Sequence, residues 1–230
     1  TGPTLAANWG NKISVLLGDC LFAHAVKLAA SFPTPEVCRA VAGATNTVCS
    51  GEILQTHQRG NFEFTRAEYF KVIEMKTAEL FSLSCDLGAG LGGASPAGRT
   101  ALRNFGLAMG TAYQVYDDCL DLFGSEAIVG KSLGTDLANG KLTLPILVVL
   151  EHGTVSDRAR LRECVQQWDP GLLPSVVEIL EKNEARNVSC GIIHQFLDMA
   201  RQSLKLVLDS PSRSGLLALT QFLAQQTDLL

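Results

Sequence analysis

Apolar positions recur along the chain at helical spacing. Val37, Val41, Ala44 and Val48 fall at i, i+4, i+7 and i+11, and Leu102, Phe105, Met109, Tyr113, Tyr116 and Leu120 repeat the pattern later. No proline lies between Pro35 and Pro96, or between Pro96 and Pro145, so the uninterrupted pieces are helix-sized. The pattern predicts helices at about 10–30, 36–58, 65–91, 97–123, 142–152, 156–167, 172–184, 188–209 and 212–226. Pro33-Thr34-Pro35 separates the first two. Thr65 is placed to cap the third, with Glu68 as its capping-box partner. Ser95-Pro96 opens the fourth, with proline at the first helical position. Two-residue alternation, an internal repeat and a linker are all missing. The expectation is a single all-α domain over residues 1–230, larger than a four-helix bundle.

Composition narrows the class. Of 230 residues, 47% are hydrophobic and 18% charged, which excludes a disordered chain. A net charge of −4 argues against a nucleic-acid surface, because phosphate binding needs an excess of Lys and Arg. The longest aliphatic stretch, Leu142 to Leu150, is interrupted by Pro145, so no transmembrane segment is expected on a criterion of roughly 20 apolar residues. The seven cysteines (20, 38, 49, 85, 119, 164 and 190) form no Cys-x-x-Cys pair, and are expected to be reduced, mostly buried thiols in a cytoplasmic protein. The chain opens on Thr1 without Met, and Thr1 is read as other than the native start.

Three places break the rules of an ordinary helical core. Asp117-Asp118-Cys119-Leu120-Asp121 closes the fourth helix. There Gln114, Asp117, Asp118 and Asp121 share one face, no Lys or Arg stands at helical spacing, and the helix dipole favours cations. Such carboxylates suit Mg²⁺, which shares its remaining sites with water and phosphate; a solvated acidic helix end gives the same pattern. Gly106 and Gly110, earlier on that helix, leave room for a ligand or for a close helix. The second break is Lys76, in register with Val72, Leu80, Leu83 and Leu87, where a lysine either snorkels to solvent or meets an anion. The third is the segment from Gly130-Lys131 to Gly140-Lys141, with glycines and two lysines ahead of a helix starting near Leu142. It is either a phosphate-holding loop or an ordinary surface loop. It is not a Walker A loop: five residues separate Gly124 from Gly130 where four are required, and a helix, not a strand, precedes it.

Taken in order, these pieces resemble the trans-type polyprenyl (isoprenyl) diphosphate synthases. Gly2-Pro3-Thr4, Asn8-Trp9-Gly10-Asn11 and Gly18-Asp19-Cys20-Leu21-Phe22-Ala23 are similar to the stretch that follows that family's first aspartate motif. Gly51-Glu52-Ile53-Leu54-Gln55 resembles a later family helix. Lys76-Thr77, Gln114 to Asp121 and Gly130 to Lys141 resemble its diphosphate-binding set. The likeness is close from Thr4 to about Glu151 and only general beyond.

The resemblance implies an isoprenoid-synthase-type helical bundle around a central cavity, usually homodimeric. It implies Mg²⁺-assisted condensation of an allylic diphosphate with isopentenyl diphosphate into an all-trans chain. By resemblance Asp117 binds Mg²⁺, supported by Asp118 and Asp121, while Lys76, Lys131 and Lys141 hold the diphosphate. Gln114 and the Thr77 carbonyl face the allylic cation, and Asp136 positions a lysine or water. The family's first aspartate motif is not in the sequence, so these 230 residues are expected to bind an allylic diphosphate weakly and condense little by themselves. The other readings are a non-catalytic regulatory subunit of a heteromeric synthase and a terpene cyclase of the same fold. The paired lysines and Gln-x-x-Asp-Asp favour the synthase.

Overall fold

The computed structural model describes residues 4–125, 130 and 132–230. Among the described residues every regular element is helical. In chain order they are α1 (Leu5–Ala30), α2 (Glu36–His57), α3 (Arg66–Ile73), a π-helical turn (Glu74–Ala78), α4 (Glu79–Leu91), α5 (Pro96–Phe123), α6 (Thr135–Ala138), α7 (Leu144–His152), α8 (Val155–Gln166), a 3₁₀ turn (Pro170–Leu172), α9 (Leu173–Lys182), α10 (Ala185–Leu204) and α11 (Pro211–Thr227). Two compact units result, Thr1–Asn46 and Thr47–Leu230, with the division inside α2.

In the first unit α1 starts earlier than its pattern predicts. Thr4 caps it by accepting the Ala7 N–H at 3.1 Å, and Gly10 (φ 77°, ψ 165°) kinks it where the regular repeat begins. Ala29 is the one buried residue of α1. By length and composition α1 is apolar enough to cross a membrane, with a mean hydropathy of 1.6 over an 18-residue window. A criterion of uninterrupted aliphatic runs passes over it because Lys12, Asp19 and His24 interrupt it.

In the second unit α5 is central and packs most extensively on α4 and α10. Ser95 caps it by accepting the Gly98 N–H at 3.1 Å, with Pro96 in the first turn as expected. Gly106 and Gly110 serve a close helix. A Cβ on Gly106 would stand 2.5 Å from the Phe81 carbonyl oxygen, and one on Gly110 would stand 2.7 Å from Ala78 Cα. Leu144, Ile146, Leu147, Val148 and Val149 of α7 are all buried, so that helix is apolar all round.

The predicted helix at 65–91 is continuous but not regular. Its capping box at Thr65 and Glu68 forms as expected. The π-helical turn at Glu74–Ala78 then adds a residue to one turn and rotates the following register by about 100°. The predicted stripe of Val72, Leu80, Leu83 and Leu87 therefore fails beyond the turn. Leu80 is exposed, while Ala78, Ser82 and Ala89 are buried. Other expectations are also corrected. Helix α10 begins at Ala185, after Glu184 in the left-handed region (φ 57°). All seven cysteines are free, but just Cys119 and Cys164 are buried.

Close α4–α5 packing makes a direct prediction. Gly110→Ala should destabilise the protein by about 1–3 kcal/mol, because the new methyl meets backbone. Gly88→Ala, in α4 with nothing within 4 Å of the new carbon, should stabilise it by roughly 0.5–1 kcal/mol. Urea unfolding of both variants checks the pair, and equal effects would remove the packing argument.

Candidate active site

The last turns of α5 carry Gln114, Asp117, Asp118 and Asp121 within an arc of about 100°. Asp118 lies on one edge and is 5% exposed. Its Oδ2 accepts the Tyr69 hydroxyl at 2.6 Å and its Oδ1 accepts Gln114 Nε2 at 2.8 Å. Gln114 Oε1 in turn accepts the Thr77 hydroxyl at 2.7 Å. A polar chain therefore runs from α3 through α5 to the π turn, and it fixes which end of the Gln114 amide points to Thr77.

Asp121, in the middle of the arc, is 1% exposed. Its Oδ1 accepts the Thr135 hydroxyl at 2.7 Å and the Thr135 N–H at 3.2 Å; its Oδ2 accepts the Asp136 N–H at 3.0 Å. Its backbone carbonyl accepts the Gly134 N–H at 2.8 Å. The glycine-rich segment is thus tied to the end of α5. Asp136 then accepts Lys141 Nζ at 3.0 Å, and the Gly60 N–H donates to the Gly140 carbonyl at 2.8 Å. Lys131 lies outside the described residues. Asp117, on the other edge, is half-buried.

Lys76 neither snorkels freely nor waits bare. Its ammonium donates to Gln55 Oε1 at 2.7 Å and pairs with Glu52 at 2.8 Å. Both partners come from α2, which approaches closely at Gly51: a Cβ there would be 3.0 Å from the Lys76 backbone nitrogen. Sequence reasoning placed Glu52 and Gln55 on a helix without assigning them to Lys76. Their signal was a Gly-Glu-x-x-Gln run that puts two acceptors one turn apart beside a glycine. It missed Tyr69, which no local pattern distinguishes from a core tyrosine.

Burial pushes the Asp118 carboxyl up from 3.8 to about 7, and the Asp136 and Asp117 charges add to the shift against the opposing Tyr69 and Gln114 hydrogen bonds. Burial and the Asp118 charge likewise push the Tyr69 hydroxyl well up. Among the described residues no three His, Cys, Asp or Glu side chains form a ready-made metal cage. The donors on offer are carboxylate oxygens, and protein donors already occupy both oxygens of Asp118 and of Asp121. Such a set fits Mg²⁺, which takes one or two carboxylates and completes its shell with water and phosphate.

The Asp118 environment carries a pH signature. Its folded value lies above its unfolded one, so between about pH 4 and pH 7 the native state binds the extra proton and stability falls as pH rises. In chelator, Asp118→Asn should flatten that fall. At pH 8 it should raise the melting temperature by roughly 2–4 °C for each kcal/mol relieved. Parallel slopes for the two proteins in a pH series of thermal unfolding would contradict the buried-carboxylate account.

Known proteins bear on this geometry. The family model described as polyprenyl synthetase matches residues 2–180. A short chain isoprenyl diphosphate synthase of Methanothermobacter thermautotrophicus is 30% identical over 97% of this chain and 70% of its own length. A decaprenyl diphosphate synthase from Rhodobacter capsulatus superposes with a TM-score of 0.90 at 31% identity, over 98% of this chain and 70% of its own. A polyprenyl synthase from Caulobacter crescentus, complexed with calcium and isoprenyl diphosphate, superposes with a TM-score of 0.89 at 29% identity, over 95% and 67%. The chain spans about two thirds of the length of the curated relatives it matches. With the aspartate motif, the Lys76-Thr77 turn and the glycine-rich segment brought together on one such bundle, the chain belongs to the polyprenyl synthetase family, transferases with an all-helical fold.

Proposed function

We propose that this chain binds the diphosphate in a prenyltransferase reaction that condenses an allylic diphosphate with isopentenyl diphosphate and extends an all-trans chain. The observation that carries this is the polar network joining the π turn, the end of α5 and the glycine-rich segment. It brings an amide, carboxylates and Lys141 to one place. We assign Mg²⁺ binding to Asp117, with Asp118 and Asp121 in support. A bound Mg²⁺ would neutralise the diphosphate as it leaves. Lys76, Lys141 and Lys131 donate to the same leaving group, with Asp136 holding Lys141 in place.

Departure of the diphosphate leaves an allylic cation, which the isopentenyl double bond attacks; the new cation then gives a proton to the departed diphosphate and forms the product double bond. Gln114 Oε1, fixed by its amide's bond to Asp118, offers a carbonyl dipole without a nucleophilic proton donor. The Thr77 carbonyl is assigned the same role. An apolar cavity of about 590 Å³, bordered by Tyr113, Tyr116, Phe81 and Leu216, lies along one side of α5 and suits an apolar chain. The uncovered apolar residues of α1, Trp9, Leu16 and Leu21 among them, suit a second copy, so the working form is a homodimer. Light scattering reads this directly, and a monomer at all concentrations would refute it. Free thiols fit a cytoplasmic location.

Calorimetry with inorganic pyrophosphate tests the central claim. Binding should require Mg²⁺, and Asp117→Ala should weaken it about tenfold or more without unfolding the protein. Equal affinity with and without Mg²⁺ would sink the proposal. Lys76→Met removes a half-exposed ion pair worth roughly 0–1 kcal/mol, so the empty protein should keep its stability. The rise in melting temperature with Mg²⁺ and pyrophosphate should shrink.

A further inference from the structure

Trp168 lies in the short connection between α8 and the 3₁₀ turn, far along the chain from the aspartates. Its indole edge presses on Gly134. A Cβ at Gly134 would stand 2.6 Å from Trp168 Cζ2 and 2.9 Å from Cη2, with Leu173 Cδ1 next at 3.6 Å. Gly134 has φ 72°, a left-handed conformation that favours glycine, so both space and backbone demand a residue without a side chain there. Its N–H is the one that reaches the Asp121 carbonyl at 2.8 Å, and the next two residues supply the donors to the Asp121 carboxylate.

Among the described residues the buried indole Nε1 meets no acceptor. An unmet buried donor is costly, and a phenylalanine would cover the same surface without it. The contact is therefore made by the ring face and edge, not by the polar atom. It falls on the residue whose freedom is greatest and whose placement matters most. Glycine loses more backbone freedom on ordering than any other residue, and the ring limits how far Gly134 can move from Asp121. From there the connections run outward: Asp121 holds Asp136, and Asp136 holds the Lys141 ammonium at 3.0 Å.

We propose that Trp168 is a positioning residue, which clamps Gly134 onto the end of α5 and so sets the placement of Lys141 relative to Asp117 for a metal-bound diphosphate. The proposal rests on the diphosphate-binding reading above, and the experiment separates the two. Hydrogen exchange of the Gly134, Thr135 and Asp136 amides is followed in ligand-free wild type, Trp168→Phe and Trp168→Ala. Alongside, Mg²⁺-dependent pyrophosphate affinity is measured by calorimetry. Trp168→Ala should speed exchange at those three amides by about tenfold or more and weaken pyrophosphate binding by a similar factor, while Trp168→Phe restores both.

A Trp168→Ala protein that melts earlier but keeps wild-type exchange at these amides and wild-type affinity would overturn the proposal. The ring would then serve packing alone. Should the alanine variant fail to fold, Trp168→Leu takes its place, since it fills space without a flat edge. Wild type that fails to bind pyrophosphate sinks the functional reading, whereas the amide exchange still decides whether Trp168 holds the segment.

Discussion

A carboxylate sealed from water must find its donors inside the protein, and Asp121 depends on this more than any other residue of the site. Its donors are two consecutive backbone N–H groups and a hydroxyl, from Thr135 and Asp136. To deliver them, the chain leaving α5 has to return to the helix end it has just left. That return starts α6, brings Asp136 close enough to oppose ionisation of Asp118, and leaves Lys141 to answer Asp136. Asp121 thus works as the knot that converts a helix end and a loop into one surface.

The three aspartates do different jobs because of where they fall on the arc. Asp117 and Asp118 stand about 100° apart, with Asp121 between them. One edge turns to α3, where Tyr69 donates; the middle turns to the returning segment; the remaining edge is the half-buried one. Repulsion within the cluster is relieved in two ways. Asp118 can hold a proton near neutral pH, and Lys141 balances Asp136. Asp118 and Asp121 thus spend their oxygens on holding α3, Gln114 and the returning segment in place.

Where local chemistry decides, the sequence was readable. The Thr65–Glu68 box and the Ser95 cap ahead of Pro96 join donors and acceptors three residues apart, and both form. Gly106 and Gly110 announced a close approach, and the partner is α4. The aspartates, Gln114, Lys76 and Thr77 were singled out, but their partners were not. Tyr69 and Trp168 become visible only when distant segments meet, and nothing in their own neighbourhoods marks them, whereas Glu52 stands in a Gly-Glu-x-x-Gln run whose partner is not local. The apolar face of α4 was misplaced for a different reason. A period of 3.6 residues was carried through a turn that does not keep it, so Leu80 was read as core and is exposed. The four-residue α6 is set by Asp121, a residue outside it, and has no period of its own to detect.

The π turn that defeated the periodicity is also what lets one short stretch serve two helices. Lys76 and Thr77 are adjacent in the wide turn, so their side chains leave it in different directions. One reaches α2, where Gln55 and Glu52 accept; the other reaches α5, where Gln114 accepts. Both helices come close enough because each presents a glycine to the turn. Gly51 lies against Met75 and Lys76, and Gly110 against Ala78 and Phe81. A side chain at either glycine would push its helix away and break the bond that helix makes to the turn. The wide turn, the two glycines and the two polar contacts are therefore one arrangement. It holds Lys76 against α2 and Gln114 against the turn at the same time.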